Sequence, residues 1–394
     1  MLSIPGAVAG NGPDALVAAH YGQPTAEQRA LDAGSAVVDL SHRGVVTVSG
    51  PDRLTWLNVL TSQKLDRLAP GTSTETLFLD VQGRIEFDCH LVDDGETTWL
   101  TVEPGEDAGL ADWLQKMKFA SRVEIADRTG EIAVVGSTAA VPGWEEREDI
   151  ARWEDPWPRI GEGGFPYTDD PDPAQHPAAD WSWNEYLVPV SLLRDLADPS
   201  TRAKANESAA LPEGSALPEG WSFAGTMASE ALRIAALRPR HGMDTDERTI
   251  PHEIDLVRTA VHLEKGCYKG QETIARVHNL GRPPRRLTFL QLDGSGHTLP
   301  APGSDVIVRP ESEAEAATAR SVGTVTSVAQ HHEMGPIALA ILKRNTDPTA
   351  ELLLRDGNAD DGWSFTAATQ ETVVSPQAGQ VVGRQSGFIR KGAR

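Results

Sequence analysis

The sequence predicts an α+β protein of two or three domains whose last domain is a small β-barrel. Its 394 residues exceed the size of one ordinary domain. Helical and strand-like patterns are mixed through the first part of the chain, whereas short strands separated by Gly, Pro and Asp turns follow Pro283 and Pro284. Apolar residues make up 39% of the chain and charged residues 24%, which is the profile of a globular protein with a large core.

The first predicted domain covers residues 1–130. Residues 45–49 have the pattern of a strand. Pro51 suits the first turn of a helix, and leucines recur on one side of the residues that follow it. A second amphipathic helix is predicted around residues 110–117, where Leu, Trp and Met recur at helical spacing.

A hairpin is predicted between these two helices. Its strands cover residues 76–80 and 84–91, and Gly83 occupies the turn. Because successive side chains of a strand point to opposite faces, Cys89 falls on the apolar face and Asp88 on the polar face. Cys89 is therefore predicted to be a core thiol, and Asp88 to lie on the side away from that core.

The second predicted domain covers residues 131–282. It opens with a short strand pattern at residues 131–135, and Pro189 begins a helix. Residues 198–219 are small and polar, and Ala-Leu-Pro-Glu-Gly occurs at 210–214 and again at 216–220, which predicts a mobile surface insertion. Ser229 is expected to cap the N-terminus of a helix that starts at the next residue.

The third predicted domain, residues 283–394, carries the β-barrel pattern. Its predicted strands cover residues 286–292, 305–308, 321–328 and 337–342. The pair His331 and His332 falls at the end of one of these strands, and we interpret it as a coincidence of position.

Charge and cysteine content narrow the classes of partner. The net charge of −21 repels phosphate backbones and anionic lipids, so neither nucleic-acid nor membrane-surface binding is expected. No apolar run reaches the roughly 18 residues of a membrane-spanning helix, and the first residues lack the basic and apolar parts of a signal peptide. The chain also has only two cysteines, so a disulfide framework is not expected. The sequence therefore predicts a reducing, cytoplasmic location.

One segment, residues 258–286, is basic within this acidic chain. Two interpretations stay open: an ordinary solvated basic face, or a local funnel for an anionic small ligand. The segment contains seven cations and two carboxylates, namely Arg258, Lys265, Lys269, Arg276, Arg282, Arg285 and Arg286 against Glu264 and Glu272.

Several common kinds of site have no support in the sequence. There is no phosphate-binding glycine loop, no dinucleotide-binding glycine pattern and no Gly-x-Ser-x-Gly nucleophile elbow. The eleven histidines lack the spacing of a zinc helix. An iron–sulfur cluster usually needs about four thiolates, so two cysteines in separate segments cannot hold one alone in the usual way. No resident metal is expected.

The segment around Cys267 is a candidate reactive site. Gly266 and Gly270 permit a tight backbone that leaves the sulfur poorly covered. Lys265 and Lys269 flank the thiol, and a helix is predicted to begin just after it. Cationic neighbours and a helix N-terminus both favour a thiolate. The alternative is a buried, inert cysteine, which is the commoner fate of a cytosolic cysteine, and the flanking residues argue against it.

The same segment resembles the signature of the YgfZ-type folate-binding proteins, relatives of the aminomethyltransferase (T-protein) of the glycine cleavage system. The matching residues are Lys265, Gly266, Cys267, Tyr268, Gly270, Gln271, Glu272 and, downstream, Ala275 and Arg276. Residues 48–58, the hairpin around Gly83 and the helix at 230–233 with Gly242 after it resemble the same families. The resemblance spans roughly residues 40–390. It implies a three-domain cloverleaf around a central folate pocket, with a β-barrel as the last lobe.

The resemblance also implies folate-binding residues. Asp88 falls where the aminomethyltransferases keep a carboxylate beside the reactive nitrogens of folate. Glu185 resembles the glutamate that holds the edge of the pterin ring, and the alternative is a glutamate at the start of a helix with no ligand. Arg233, Lys265 and Tyr268 are the other residues expected to bind folate.

Three functions remain open. The resemblance implies a folate-binding accessory protein for the assembly or repair of iron–sulfur enzymes, acting through Cys267. Tetrahydrofolate or a one-carbon derivative of it would fill the pocket, and iron–sulfur client or assembly proteins would be partners. The alternative is an enzyme, a folate-dependent one-carbon (aminomethyl) transferase or demethylase that requires Asp88; Ser229, where the aminomethyltransferases carry an arginine, weakens it. A thiol redox protein is disfavoured because no second cysteine lies near Cys267 in the sequence.

Overall fold

The structure, a computed structural model, describes residues 1–198, 217–358 and 362–379. The insertion predicted at residues 198–219 lies almost entirely outside the described residues. No helix in these ranges is long and apolar enough to cross a membrane. The helices are α1 Pro24–Asp32, α2 Arg53–Leu60, α3 Asp107–Met117, α4 Val190–Ala197, α5 Thr226–Ala235, α6 Gln271–Leu280 and α7 Glu313–Thr318.

The strands form two open sheets, a short two-stranded ribbon and a closed barrel. Before the barrel they are β1 Val8–Ala9, β2 Ala18–His20, β3 Ala36–Asp39, β4 Gly44–Ser49, β5 Ser73–Leu79, β6 Ile85–Asp93, β7 Thr97–Val102, β8 Glu124–Asp127, β9 Ile132–Ser137, β10 Ala151–Glu154, β11 Asn184–Pro189 and β12 Ser222–Ala224. The barrel strands are β13 Arg285–Leu292, β14 Asp305–Val308, β15 Gly323–His331, β16 Gly335–Lys343, β17 Leu352–Asn358 and β18 Gly362–Thr372.

The first sheet has the spatial order β5-β6-β7-β4-β8 and packs against helices α2 and α3. The predicted hairpin is confirmed, because β5 and β6 pair antiparallel with Leu77 opposite Asp88. The predicted core thiol is confirmed as well: Cys89 is fully buried in the same core as Phe78 and Leu110. This sheet therefore holds Asp88 on the face opposite its own core.

The second sheet has the order β10-β11-β9-β3-β12. Glu185 lies in strand β11 opposite Gly136 of strand β9, and helix α4 begins only at Val190, so Glu185 is not at the start of a helix. A side chain at Gly136 would collide with the indole of Trp183, which explains a glycine in the middle of a strand. Strand β3 belongs to the first predicted domain in the sequence, but it lies in this second sheet. The predicted boundary between the first and second domains at residue 130 stays a prediction.

The barrel closes in the order β13-β16-β15-β14-β17-β18, which confirms an α+β chain with a terminal β-barrel. The four strands predicted from sequence are present, whereas β17, β18 and helix α7 were not predicted. Strand β18 escapes prediction because it buries only Ala368, so its sequence lacks the alternation of a half-buried strand. One core cluster includes Leu77 of the first sheet, Ile234 of helix α5 and Ile337 of the barrel, and thereby joins the lobes.

The prediction that Ser229 caps a helix is wrong. Helix α5 begins one turn earlier, at Thr226, and Ser229 lies inside it, where its hydroxyl donates to the Thr226 carbonyl at 3.1 Å. Gly225 precedes the helix because a side chain at that position would meet the Ala19 backbone.

Candidate functional site

A pocket lies at the centre of the molecule, between the two open sheets, helix α5 and the loop after it. It encloses about 730 Å³ of space not occupied by protein atoms, its open mouth included. Of the residues predicted to bind folate, Asp88, Glu185 and Arg233 line this pocket. Lys265 and Tyr268 do not.

Glu185 is the most buried carboxylate of the pocket lining and is 1% exposed. Its Oε1 accepts hydrogen bonds from Arg43 Nη1 at 2.6 Å and from Trp183 Nε1 at 3.3 Å, and its Oε2 lies 2.8 Å from His90 Nδ1. Burial alone would raise the pKa of Glu185, but Arg43 and His90 lower it to about 2. Both carboxylate oxygens are therefore bonded within the protein.

Arg240 organises a second ionic group at the pocket wall. Its guanidinium donates to Asp14 Oδ1 at 2.8 Å, to Glu103 Oε2 at 2.9 Å and to Glu230 Oε1 at 3.2 Å. Arg43 Nη2 donates to the other oxygen of Glu103 at 2.7 Å. Against the effect of burial, these two arginines lower the pKa of Glu103 to about 2. The group fixes the pocket wall through its shared hydrogen bonds.

Arg233 joins helix α5 to the barrel. Its Nη1 donates to Asp244 Oδ2 at 2.8 Å and to the Arg238 carbonyl at 2.7 Å, and its Nη2 donates to Glu230 at 2.6 Å and to Ser327 Oγ at 2.9 Å. The guanidinium therefore lines the pocket with its hydrogen bonds already made.

Asp88 differs from these residues because it has an unpaired atom. Its side chain is buried, and its Oδ1 has no hydrogen-bond partner among the described residues. Burial, and then the nearby charge of Glu75, raise the pKa of Asp88 to about 7. A buried polar atom without a partner is rare in native proteins and calls for a ligand or an ordered water.

Arg238 supplies an unpaired donor in the same pocket. Its Nη2 donates to Glu75 Oε1 at 2.6 Å and its Nε to Asp155 Oδ2 at 3.2 Å, whereas Nη1 has no partner among the described residues. Arg43 Nε, in the same lining, also has no partner. The pocket thus holds one buried acid and two guanidiniums that each have a polar atom without a partner among the described residues.

Aromatic rings line or support the pocket beside these polar groups. Trp181 and Trp183 stack with ring centroids 5.9 Å apart and an interplanar angle of 11°. His90 stacks on Trp153 at 3.8 Å and 3°. Flat apolar surfaces beside a few polar atoms are typical of sites for planar heteroaromatic ligands.

Lys265 lies outside the pocket and completes the end of helix α2. Its ammonium donates to the carbonyls of Asn58 at 2.6 Å and Thr61 at 2.7 Å, and also to the carbonyl of Gln63. Burial lowers the pKa of Lys265 to about 7. Lys269 forms an ion pair with Glu86 at 2.8 Å. Both lysines thus have partners other than the Cys267 sulfur.

Gly270 of the motif packs closely against the β5–β6 hairpin. Gly270 has φ +85°, and a side chain there would meet the Asp80 carbonyl at 2.6 Å. The helix predicted after the thiol is confirmed as α6, which begins at the next residue. Tyr268 is buried in the central core and Gly266 faces open space. Of the remaining motif residues, Gln271 is half-buried, and Glu272 and Arg276 are exposed.

Cys267 is exposed on the outer surface and does not line the central pocket. Cys89, by contrast, is fully buried, and burial together with the charge of Asp88 raises its pKa well above the usual thiol value. The two cysteines therefore differ sharply in access.

A brief alkylation of the native protein should modify Cys267 alone. We expect Cys89 to react at least about 100-fold more slowly, because its modification requires opening of the core. Mass spectrometry of tryptic peptides measures both sites, and Cys267→Ser should abolish labelling of the native protein. Comparable labelling of the two cysteines would contradict this assignment.

The basic segment at residues 258–286 forms neither a solvated basic face nor a broad funnel. Among the described residues, Arg276 and Arg282 are the two of its cations without an ion pair or side-chain hydrogen bond. The five cations with partners are Arg258, Lys265, Lys269, Arg285 and Arg286.

Sequence patterns did not identify Arg43, Glu103, Arg238 and Arg240 as pocket residues. A sequence signal existed for two of them. Arg238 and Arg240 closely follow the helix at Glu230, which the family resemblance had already singled out. In the described ranges, no group of three or more His, Cys, Asp or Glu residues is arranged to hold a metal ion.

The chain is similar to several known proteins. The profile of the GCVT N-terminal domain matches residues 12–141. A putative chloroplastic transferase of Arabidopsis thaliana is 30% identical over 71% of this chain and 60% of its own length. A mitochondrial iron-sulfur cluster assembly factor IBA57 homolog of Neosartorya fischeri is 26% identical over 66% of this chain and 58% of its own length. The chain thus spans less than two thirds of these two relatives.

Two further matches confirm the resemblance. A tRNA-modifying protein YgfZ of Colwellia psychrerythraea is 22% identical over 64% of this chain and 71% of its own length. The solved structure of the glycine cleavage system aminomethyltransferase T of Bartonella henselae covers 95% of both chains, with a TM-score of 0.65 and 16% identity. At this identity the likeness shows the fold alone, and it confirms the predicted aminomethyltransferase-type cloverleaf. The cytoplasmic location stays a prediction.

Proposed function

We propose that this chain, whose residues 12–141 match the GCVT N-terminal domain, binds tetrahydrofolate or a one-carbon derivative of it and supports the assembly or repair of iron–sulfur enzymes through Cys267. The observation that carries folate binding is the pair of unpaired polar atoms in the central pocket, Asp88 Oδ1 and Arg238 Nη1. A pterin ring presents N–H donors and a carbonyl acceptor along one planar edge. It therefore offers a partner to each atom while its faces lie against apolar rings.

The other pocket residues suit a positioning role in this proposal. Glu185 holds Arg43 and His90 in place, and Arg233 fixes helix α5 against the barrel. The carboxylate of Glu185 and the terminal nitrogens of Arg233 are already bonded, so recognition of the ring edge falls to Asp88 and Arg238, with Arg43 Nε as a further donor that has no partner among the described residues. The tryptophan pair excludes water from the ring faces.

The thiol acts at a different place from the pocket. Cys267 is exposed within a motif whose Gly270 packs closely against the hairpin that carries Asp88. Two of the relatives are named as an iron-sulfur cluster assembly factor and as YgfZ. An exposed thiol on the outer surface suits transient contact with a client protein, an assembly protein or a cluster that such a partner carries.

A second candidate is a folate-dependent one-carbon (aminomethyl) transferase or demethylase. The buried, unpaired Asp88 favours it, because such a carboxyl group can hold or accept a proton beside the reacting nitrogens of a folate. Release of free tetrahydrofolate from a one-carbon-loaded folate by the purified protein would identify this activity.

Tetrahydrofolate should raise the melting temperature of the purified protein, since a ligand selective for the folded state stabilises it. Cys267→Ser should show the same shift, because the thiol lies outside the pocket. In cells lacking the native protein, however, Cys267→Ser should fail to restore the activity of iron–sulfur enzymes. The absence of any thermal shift would remove folate from the proposal, and full restoration by Cys267→Ser would remove the thiol.

A further inference from the structure

His90 lies two residues after Asp88 in strand β6, and both residues line the central pocket. Alternate residues of a strand share a face and lie about 7 Å apart, so the two side chains enter the pocket as neighbours. In the proposed function Asp88 contacts the edge of the ring. His90 is left without a role of its own, although it is the one histidine on the pocket face of this strand.

The imidazole of His90 is fixed on two sides. One face stacks on the buried indole of Trp153, with ring centroids 3.8 Å apart and an interplanar angle of 3°. The indole is anchored in turn, because its Nε1 donates to the Thr74 carbonyl at 2.7 Å. At one edge of the imidazole, Nδ1 lies 2.8 Å from Glu185 Oε2. These contacts set both the plane and the orientation of the ring.

The partners of Nδ1 determine which nitrogen of His90 is basic. A carboxylate only accepts hydrogen bonds, so the Nδ1–H of His90 donates to Glu185. Arg43 Nη1 lies farther from Nδ1, at 3.3 Å, and donates to the other oxygen of Glu185 at 2.6 Å. In the neutral ring Nε2 is then the basic nitrogen, and it has no hydrogen-bond partner among the described residues. A histidine oriented by a carboxylate through its other nitrogen is the arrangement of a general base.

The charges around His90 set the pH range in which Nε2 is basic. Burial alone would lower the pKa of His90, but Glu185 raises it above its ordinary value. The base form therefore grows as the pH rises through this raised pKa. The charged groups that face the ring are Glu185 of strand β11, Asp88 of its own strand, Glu75 of strand β5 opposite it, and Arg43 and Arg238 from the loops after strand β3 and helix α5.

We infer that His90 is a general base of the central pocket that adds water to the one-carbon unit of a bound 5,10-methenyl-tetrahydrofolate, an inference that rests on the proposed function. Nε2 takes a proton from the water as the water oxygen bonds to the methenyl carbon. The bond between that carbon and N5 breaks, and N5 receives the proton from Nε2. The second proton of the water passes to the solvent, and the product is 10-formyl-tetrahydrofolate.

The pocket suits this reaction in two further respects. The methenyl form is a planar cation, and the stacked indoles of Trp181 and Trp183 in the pocket lining attract positive charge at their faces. The reaction also needs only water and a base, so neither an oxidant nor a second substrate has to enter beside the folate.

Hydrolysis of 5,10-methenyl-tetrahydrofolate, measured as loss of its long-wavelength absorbance, tests the inference. The wild type should accelerate the hydrolysis, and His90→Gln should lower kcat by about 100-fold, as expected for a lost general base. The matched control is His297→Asn, an exposed histidine outside the pocket whose φ of +54° asparagine tolerates, and it should match the wild type. His90→Gln should keep the thermal shift with tetrahydrofolate, since Asp88 and Arg238 contact the ring edge.

The ligand-free protein gives a readout that does not depend on turnover. In a proton NMR titration His90 should titrate above the ordinary histidine value. Glu185→Gln should lower that midpoint, because it removes the carboxylate charge that favours the imidazolium. The pH midpoint of kcat should move in the same direction. A midpoint that stays in place would mean that Glu185 does not tune the base.

The outcomes separate this inference from the proposed function. If the wild type binds neither tetrahydrofolate nor the methenyl form, the proposed function fails together with the inference. If it binds both, but the methenyl form hydrolyses no faster than without protein, the inference alone is overturned. Equal kcat values for His90→Gln and the wild type would overturn the assignment of the base to His90.

Discussion

Replacing Arg238 by methionine should destabilise the protein by about 3–5 kcal/mol at mildly alkaline pH, the range for removal of one partner from a buried ionic group. Arg238 is buried and bonds both Glu75 and Asp155, and Asp88 lies close enough to be affected by its charge. Without the guanidinium, three buried carboxyl groups lose their shared cation. Methionine fills a similar length of space, so the loss reports on charge rather than on a cavity.

Urea unfolding at two pH values measures this effect. The loss should shrink in mildly acidic buffer, because stranded carboxylates can take up protons there. The matched control is Arg122→Gln, which breaks an exposed pair with Asp52 and should leave the unfolding free energy almost unchanged, because solvent screens such a pair. A change of similar size for both variants would mean that Arg238 does not hold the buried acids together. Arg238→Met should also lose folate binding, which calorimetry at low temperature can measure on the folded fraction.

Local patterns in the sequence predicted much of the fold. The alternation along strand β6 predicted both the buried thiol of Cys89 and the opposite orientation of Asp88, because a strand repeats every second residue. Sequence patterns placed the start of helix α5 one turn too late, just after Ser229. Thr226, Met227 and Ala228 are as compatible with a helix as the residues after them, so no local signal marked the true start. Strand β18, with one buried residue, gave no alternation to detect.

The ionic groups of the pocket were beyond such patterns. Arg240 bonds Asp14 across 226 positions and Arg43 bonds Glu185 across 142, so no local spacing relates the partners. For Lys265, a short distance along the chain suggested a contact that the structure does not show. Its place beside Cys267 in the sequence predicted an effect on the thiol, but its four-carbon stem reaches the open carbonyls at the end of helix α2. Proximity along the chain fixes where a long side chain starts and not where its charge ends.

Asp88→Asn should leave the fold intact, raise the stability of the ligand-free protein above neutral pH and weaken folate binding. The pKa of Asp88 is raised from 3.8 to about 7, so the folded protein holds a proton that the unfolded chain releases between these values. Wild-type stability therefore falls as the pH rises from about 4 to about 7, and the lost stability is not regained above that range. Asparagine carries no charge, so the variant avoids this loss.

The measurement is the difference in unfolding free energy between the wild type and Asp88→Asn across this pH range. Unfolding free energies should agree near pH 4 and should favour Asp88→Asn by on the order of 2 kcal/mol above pH 7, allowing for the interaction of Asp88 with Glu75. Folate binding should weaken about tenfold, because an amide replaces the acid that faces the ring edge. Asp88 would then destabilise the empty protein and stabilise the complex. Because no contact among the described residues offsets its burial, such a residue serves ligand binding and not folding. If Asp88→Asn is instead less stable at every pH, Asp88 is an ionised structural residue, and the pterin edge must be recognised elsewhere.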